Sequence, residues 1–337
     1  MKVLVVQTAF IGDVILTLPM VQALKKAQPD TVIDFMCIPT TAELLTGNAY
    51  INEVIIYNKR KGGFRGLWQI AREVKAGDYD IIISPHRSYR SALIAFMSGC
   101  ENTISFDKSD MSSLYKTTVP YIQDIHEIQR NLKLLEPLGI KEENIIRPEL
   151  FPSGEDKSKI DALLEATNQT ENGFICIAPG SVWFTKRYPK EKFLNLLKIL
   201  GERNVSVFLI GGKNDMELGD YLYDNSGKEG LFNVIGKLSL LESTELIRRA
   251  KLLVTNDSAP LHIGNAMGTN VIAIYGATIP GFGFYPYGEN DVAFETNGLP
   301  CRPCSIHGGN KCPIGTFECM LSIREEDIAN RVANHSS

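Results

Sequence analysis

Short, almost wholly apolar runs recur along this chain at 3–6, 32–37, 54–57, 81–84, 174–178, 205–210, 252–255 and 271–275, and that recurrence constrains the fold more than any other feature. A strand with one solvated face alternates apolar and polar residues, whereas a strand buried on both faces reads as a continuous apolar run. Between the runs, apolar residues fall at helical spacing: Val14, Leu18, Val21, Ala23 and Leu24 mark one helix, and Phe193, Leu196, Leu197 and Leu200 another. Strands alternating with helices predict an α/β, doubly wound architecture with parallel sheets. At 337 residues the chain is too long for one ordinary core and suits two domains of about 150 residues each. The series breaks at Arg147-Pro148-Glu149-Leu150-Phe151-Pro152-Ser153-Gly154, which puts the boundary after residue 153. The polar turns that follow the strands are expected to face a cleft between two open sheets.

Hydrophobic residues make up 44% of the chain and charged residues 22%, the balance of an ordinary globular protein, and no repeat or low-complexity tail interrupts it. The first apolar run is far too short for a signal peptide or a membrane span, so the expected location is the cytosol. Net charge is −4, unevenly spread. Lys59, Arg60, Lys61, Arg65, Arg72, Lys75, Arg87 and Arg90 face only Glu73, Asp78 and Asp80 between positions 59 and 90. Such a basic stretch can meet a phosphorylated partner or acidic lipid headgroups, or can simply be a solvated helix face. No nucleic-acid module is present: there is no aromatic-rich basic strand and no basic helix of paired spacing.

Three strand-to-helix turns carry candidate chemistry. In Gln7-Thr8-Ala9-Phe10-Ile11-Gly12-Asp13 a helix is expected near Val14; Gly12 permits close approach, and Asp13 is either its N-cap or a general base. In residues 178–189, Ser181, Thr185, Lys186 and Arg187 supply the donors, point charge and fork that a diphosphate requires. In Thr255-Asn256-Asp257-Ser258-Ala259-Pro260-Leu261-His262, Asp257 or Ser258 can cap a helix. Pro260 fits its first turn and Gly268 ends it, so free backbone N–H groups are offered to a phosphate. After 205–210, Asp215 or Glu217 can accept from ribose hydroxyls or serve as helix-start carboxylates.

Together these residues resemble glycosyltransferase family 9, the ADP-heptose:lipopolysaccharide heptosyltransferases, over nearly the whole chain. The resemblance is carried by Phe10-Ile11-Gly12-Asp13, by Pro179-Gly180-Ser181 with Lys186-Arg187-Tyr188-Pro189, by Asn256-Asp257-Ser258 with His262, and by Tyr275-Gly276-Ala277-Thr278-Ile279-Pro280. It implies a GT-B fold with two Rossmann-like domains: an acceptor-binding domain over 1–153, a donor-binding domain over 154–320, and a final helix over 321–337 packing back on the first. It further implies inverting transfer of a heptose from ADP-heptose to Kdo-lipid A or a heptosylated core, with no metal or other cofactor required. On this resemblance Asp13 matches the base, Lys186 a donor-phosphate contact and Asp257 an acidic donor contact, with Ser258 and Ala259 offering N–H groups. His262 stands beside them as a donor contact or a packed core histidine. Thr8, Gly12, Arg60, Lys61, Arg87 and Arg90 are the expected acceptor contacts, for a lipid-linked saccharide at the inner face of the cytoplasmic membrane. Two positions depart from the common pattern, Ala259 where glycine is frequent and Tyr188 where tryptophan is.

The segment Cys301-x2-Cys304-x7-Cys312-x6-Cys319 invites a zinc reading, but its second pair lacks the short spacing of structural zinc ribbons, which favours reduced thiols. Two rivals remain at this level. One is a GT-B transferase or epimerase using another nucleotide sugar. The other, of a different class, is a two-domain sugar-binding protein, which needs no carboxylate on the acceptor side.

Overall fold

A computed structural model describes residues 1–59 and 61–335. Arg60, one of the expected acceptor contacts, lies outside the described residues. The chain divides into two compact units, Met1–Phe151 and Pro152–Ser337, two residues before the expected boundary.

In the first unit the strands are β1 (Lys2–Val6), β2 (Val32–Cys37), β3 (Glu53–Ile56), β4 (Ile81–Ser84), β5 (Asn102–Phe106) and β6 (Thr117–Val119). The helices are α1 (Ile11–Ala27), α2 (Pro39–Ala42), α3 (Gly63–Ala76), α4 (Tyr89–Ser98) and α5 (Glu127–Leu132). The six strands are parallel and ordered β3-β2-β1-β4-β5-β6. The strand order reverses between β1 and β4, so the turns that follow these two strands open at the topological switch point, where α/β sheets bind ligands.

The second unit repeats the plan. Its strands are β7 (Phe174–Ala178), β8 (Ser206–Leu209), β9 (Leu231–Asn233), β10 (Leu252–Asn256), β11 (Asn270–Tyr275) and β12 (Val292–Glu295), again all parallel, in the order β12-β11-β10-β7-β8-β9. Its helices are α6 (Gly154–Ala166), α7 (Lys190–Glu202), α8 (Met216–Ser226), α9 (Leu240–Arg249), α10 (Ala259–Met267), α11 (Glu318–Leu321) and α12 (Glu325–Asn334). Here the switch point falls between β7 and β10, the strands that precede the Lys186 and Asp257 turns.

The central strands are continuous apolar runs because both faces are covered: every residue of β7 and β10 is buried. Helix starts follow local chemistry. Ser153 Oγ accepts from the Asp156 amide at 3.1 Å while the Asp156 carboxylate accepts from the Ser153 amide at 2.7 Å, a reciprocal cap that opens α6 just past the boundary. Ser239 and Glu242 repeat the device at α9.

Two expectations are corrected. Helix α1 begins at Ile11, not near Val14, because Asp13 sits in its first turn and its Oδ2 accepts the Phe10 amide at 3.1 Å; Asp13 is thus the third helical residue rather than the N-cap. The final helix, expected to pack back on the first domain, buries Ile328, Ala329 and Val332 in the core of the second unit. Polar ties hold it to α7: Lys192 Nζ reaches the Ile323 carbonyl at 2.7 Å and the Glu325 carboxylate at 2.8 Å, and Arg203 donates to the Ala329 carbonyl at 2.8 Å. No helix among the described residues is long and apolar enough to cross a membrane.

Candidate functional site

In the first unit polar side chains tie down the β1 exit. Gln7 donates to Thr17 Oγ1 at 3.1 Å, and Lys59 Nζ donates to the Thr8 carbonyl at 2.8 Å. Thr8, expected to face the acceptor, is 1% exposed, and its hydroxyl lies 2.8 Å from His86 Nδ1 at the β4 exit. That contact joins the two turns at the switch point. Ser91 Oγ also approaches that ring nitrogen, at 3.3 Å. Burial, with Lys59 and Arg87 nearby, lowers the His86 pKa to about 4, so the ring is neutral at pH 7. Gly12 and Asp13 lie side by side in the first turn of α1, the positive end of its dipole. Arg87 stacks over the Tyr121 ring at 4.0 Å and Arg90 over Tyr89 at 5.0 Å, while Lys61 is exposed.

Sequence reasoning missed Glu127, the first residue of α5. It is buried and paired with Arg130, whose guanidinium also donates to the carbonyls of Ile122, Gln123 and Ile125 and lies 4.5 Å from the Tyr121 ring centre. Helix α5 packs on α1, and Asn131 donates to the Leu16 carbonyl at 3.0 Å. Burial raises the Glu127 pKa to about 7 against the pull of Arg130, and the Asp13 charge raises it further. The only advance signal was an acid and an arginine three residues apart in a short amphipathic stretch, a spacing common on solvated helices.

In the second unit three loops meet. Asn256, at the end of β10, accepts the Tyr188 amide at 2.9 Å and donates to the Pro179 carbonyl at 2.8 Å, lashing the 179–188 turn to the start of α10. A 3₁₀ turn at Phe184–Lys186 then brings Lys186 Nζ to 2.7 Å from Asp257 Oδ2, and the same oxygen accepts from Thr278 Oγ1 at 2.6 Å. The N-cap of α10 is Ser258, not Asp257; the helix start has no side-chain cap and Pro260 follows in its first turn. Ala259 opens the helix just past the Asp257 that pairs with Lys186, and an uncapped helix start of this kind can seat an anion.

Arg187 Nε is tied to the Ser181 carbonyl at 2.6 Å. Asp215 Oδ2 accepts the Gly212 amide at 3.2 Å, and burial raises its pKa. A Cβ on Gly180 would lie 2.4 Å from the Asp215 carboxyl carbon, so glycine is what lets the two turns touch. Glu217 is exposed in the first turn of α8. Thr185, expected as a ligand donor, is buried, and its hydroxyl accepts the Gly309 amide at 2.7 Å. His262 is 5% exposed, with its ring edge-on to Phe284.

Residues beyond the marker motifs complete this corner. Arg302 donates to the carbonyls of Gly276 at 2.6 Å and Thr278 at 2.7 Å and pairs with Glu295 at 2.7 Å, so the cysteine-rich segment buttresses the turn that carries Thr278. All seven cysteines are free. Burial lifts the Cys319 thiol to about 11. At Cys312 burial acts in the same direction, but amides of residues 314–317 outweigh it and bring that thiol below its usual value. Among the described residues no group of three or more histidine, cysteine or acidic side chains is placed to hold a metal ion.

The family described as glycosyltransferase family 9 (heptosyltransferase) matches residues 67–310. The lipopolysaccharide heptosyltransferase 3 of Escherichia coli strain K12 is 28% identical over 298 residues, covering 84% of each chain. The lipopolysaccharide heptosyltransferase 1 of Pseudomonas aeruginosa is 25% identical over 325 residues, covering 90% of this chain and 86% of that one. A crystal structure of a family 9 glycosyl transferase from Veillonella parvula superposes with a TM-score of 0.84 at 24% identity, covering 99% of this chain and 96% of the other. The E. coli heptosyltransferase WaaC with ADP superposes at 0.72 and 18% identity, covering 100% and 98%. These superpositions establish the GT-B fold, two doubly wound α/β domains. With the family match spanning well over half of the sequence and the paired switch-point turns in place, the chain belongs to glycosyltransferase family 9 and is a glycosyltransferase.

Proposed function

We propose that this protein transfers a heptose from ADP-heptose to the inner core of lipopolysaccharide, either Kdo-lipid A or an already heptosylated core, with inversion at the anomeric carbon. The observation that carries this reading is the Lys186–Asp257–Thr278 cluster at the uncapped start of α10, a corner where a lysine and the start of a helix can together meet a diphosphate. The names of the curated relatives, lipopolysaccharide heptosyltransferases 1, 2 and 3, point to the sugar and the acceptor.

In this reading Asp13 takes the proton of an acceptor hydroxyl as its oxygen bonds to the anomeric carbon. The bond from that carbon to the phosphate oxygen breaks, and ADP leaves with both electrons. Lys186, Arg187 and the amides of residues 258 and 259 meet the charge that grows on the leaving phosphate. Asp215 and Glu217 are the candidates for the ribose hydroxyls. On the acceptor side, Lys61, Arg87 and Arg90 meet the anionic groups of a lipid-linked saccharide at the inner membrane surface. Thr8 and Thr185 support their turns through the hydrogen bonds described above.

Protein-supplied positive charge at the diphosphate makes a divalent metal unnecessary, so turnover should survive EDTA. Activity that vanishes on chelation and returns with Mg²⁺ or Mn²⁺ would remove that part of the proposal. The central test is to incubate the protein with ADP-heptose and, separately, other nucleotide sugars, offering Kdo-lipid A and heptosylated core as acceptors, and to follow the products by mass spectrometry. Heptose added from ADP-heptose supports the reading. No addition to either acceptor, with transfer from another nucleotide sugar, overturns it.

A further inference from the structure

Helix α3 leaves an apolar and cationic face in water. It buries Leu67, Ile70, Ala71 and Val74 against the first unit, yet Phe64 is 84% exposed and Trp68 54%. At about 100° per residue, Phe64, Lys75, Trp68, Arg72 and Arg65 fall within an arc of about 100°, while the helix's one acid, Glu73, lies roughly opposite Phe64. All five residues of the arc are exposed. The Arg72 guanidinium sits 4.7 Å over the Trp68 ring, so rings and cations form one mixed surface. Helix α4 packs against α3 and adds another exposed ring at Phe96.

We propose that this arc of α3 is a membrane-docking surface that lies on an anionic bilayer, its rings at the headgroup–acyl boundary and its arginines and lysine among acidic headgroups. The chemistry is that of an interfacial helix: aromatic anchors, basic residues on the same side and no acid between them. The flank of α3 beside the arc, Leu67, Ile70, Ala71 and Val74, is already buried in the first unit, so the exposed arc can meet a surface without the helix leaving the fold. A bilayer fits better than a protein groove because the rings of Phe64 and Trp68 lie toward one edge of the arc and Arg72 and Arg65 toward the other, matching a boundary that is apolar on one side and anionic on the other. The inference rests on the reading that the acceptor is lipid-linked, and it assigns residues distinct from Lys61, Arg87 and Arg90.

The test is co-sedimentation of the full chain with vesicles of phosphatidylcholine alone and of phosphatidylcholine with phosphatidylglycerol. The parent should prefer the anionic vesicles, and the preference should shrink with salt as exposed charges are screened. Phe64→Ala/Trp68→Ala should weaken partitioning at least about tenfold. Arg65→Gln/Arg72→Gln/Lys75→Gln should weaken it on the order of 10²-fold and remove the preference for anionic lipid. Because these side chains are exposed, both variants should melt with the parent and turn over an acceptor without acyl chains at the parent's rate. A parent that does not sediment with anionic vesicles overturns the proposal, as does a ring variant that partitions like the parent. Vesicle binding needs no donor, so its failure is separable from failure to use ADP-heptose.

Discussion

Replacing Lys186 by methionine tests whether the second unit's corner is held by charge as well as used for binding. The substitution keeps most of the side-chain stem and removes the ammonium that lies 2.7 Å from Asp257 Oδ2, with side-chain exposures of 16% and 7%. Asp257 keeps its bond from Thr278 at 2.6 Å, but its charge then stands alone in a nearly dry site. Stranding one member of a buried pair costs about 3–5 kcal/mol, and the partial exposure of Lys186 puts this case near the lower end, about 3 kcal/mol. For a unit of this size each kcal/mol shifts the midpoint by about 2–4 °C, so the second unit should melt about 6–12 °C earlier. Adding Asp257→Asn removes the stranded charge while leaving an oxygen for Thr278, and the double variant should regain most of the loss. Both variants should bind ADP on the order of 10–100-fold more weakly, about 1.4–2.8 kcal/mol. Calorimetric melting and ADP titration read the two effects separately. A single variant that melts with the parent, or a double variant no more stable than the single, would refute the argument from a shared charge. Unchanged ADP affinity would take Lys186 out of the donor site.

Asp13→Asn should lower turnover by roughly 10²-fold or more while sparing ADP affinity and the helix start, since an amide oxygen can still accept from Phe10; turnover like the parent's refutes the base assignment. Two buried groups of the first unit should pull stability in opposite directions with pH. His86, lowered to about 4 from 6.5, makes stability fall as pH drops through that window, because the unfolded chain binds the proton first. Glu127, raised to about 7 from 4.5, makes stability fall as pH rises through its own window, because the unfolded chain loses the proton first. Denaturant titrations between these limits should therefore show His86→Gln losing stability with rising pH relative to the parent, and Glu127→Gln gaining it; unchanged pH slopes would contradict the burial argument. Gly180→Ala should destabilise the second unit by about 1–3 kcal/mol, since its Cβ would fall 2.4 Å from the Asp215 carboxyl carbon; a neutral effect on melting would show that the two turns can part without cost.

The sequence by itself determined the α/β class, the two-unit plan, the central strands and the position of Asp13, Lys186 and Asp257 at strand exits. It could do so because strands covered on both faces are written as uninterrupted apolar runs, and because helix starts advertise themselves in serine, aspartate, proline and glycine. The strands it missed are β5, whose buried Thr103 and Ser105 break the apolar run, and three short strands at or next to the sheet edges, β6, β9 and β12. Only the tertiary structure decided which polar groups are available. The hydroxyls of Thr8 and Thr185 are committed to His86 and Gly309, residues 78 and 124 positions away. Arg302 pins the turn that presents Thr278, Glu127 is buried with Arg130 beside α1, and the last helix packs on α7. Local composition records whether a residue can donate, accept or be buried. Which partner it meets depends on contacts made across the whole chain, and those exist only once the sheets and helices have packed.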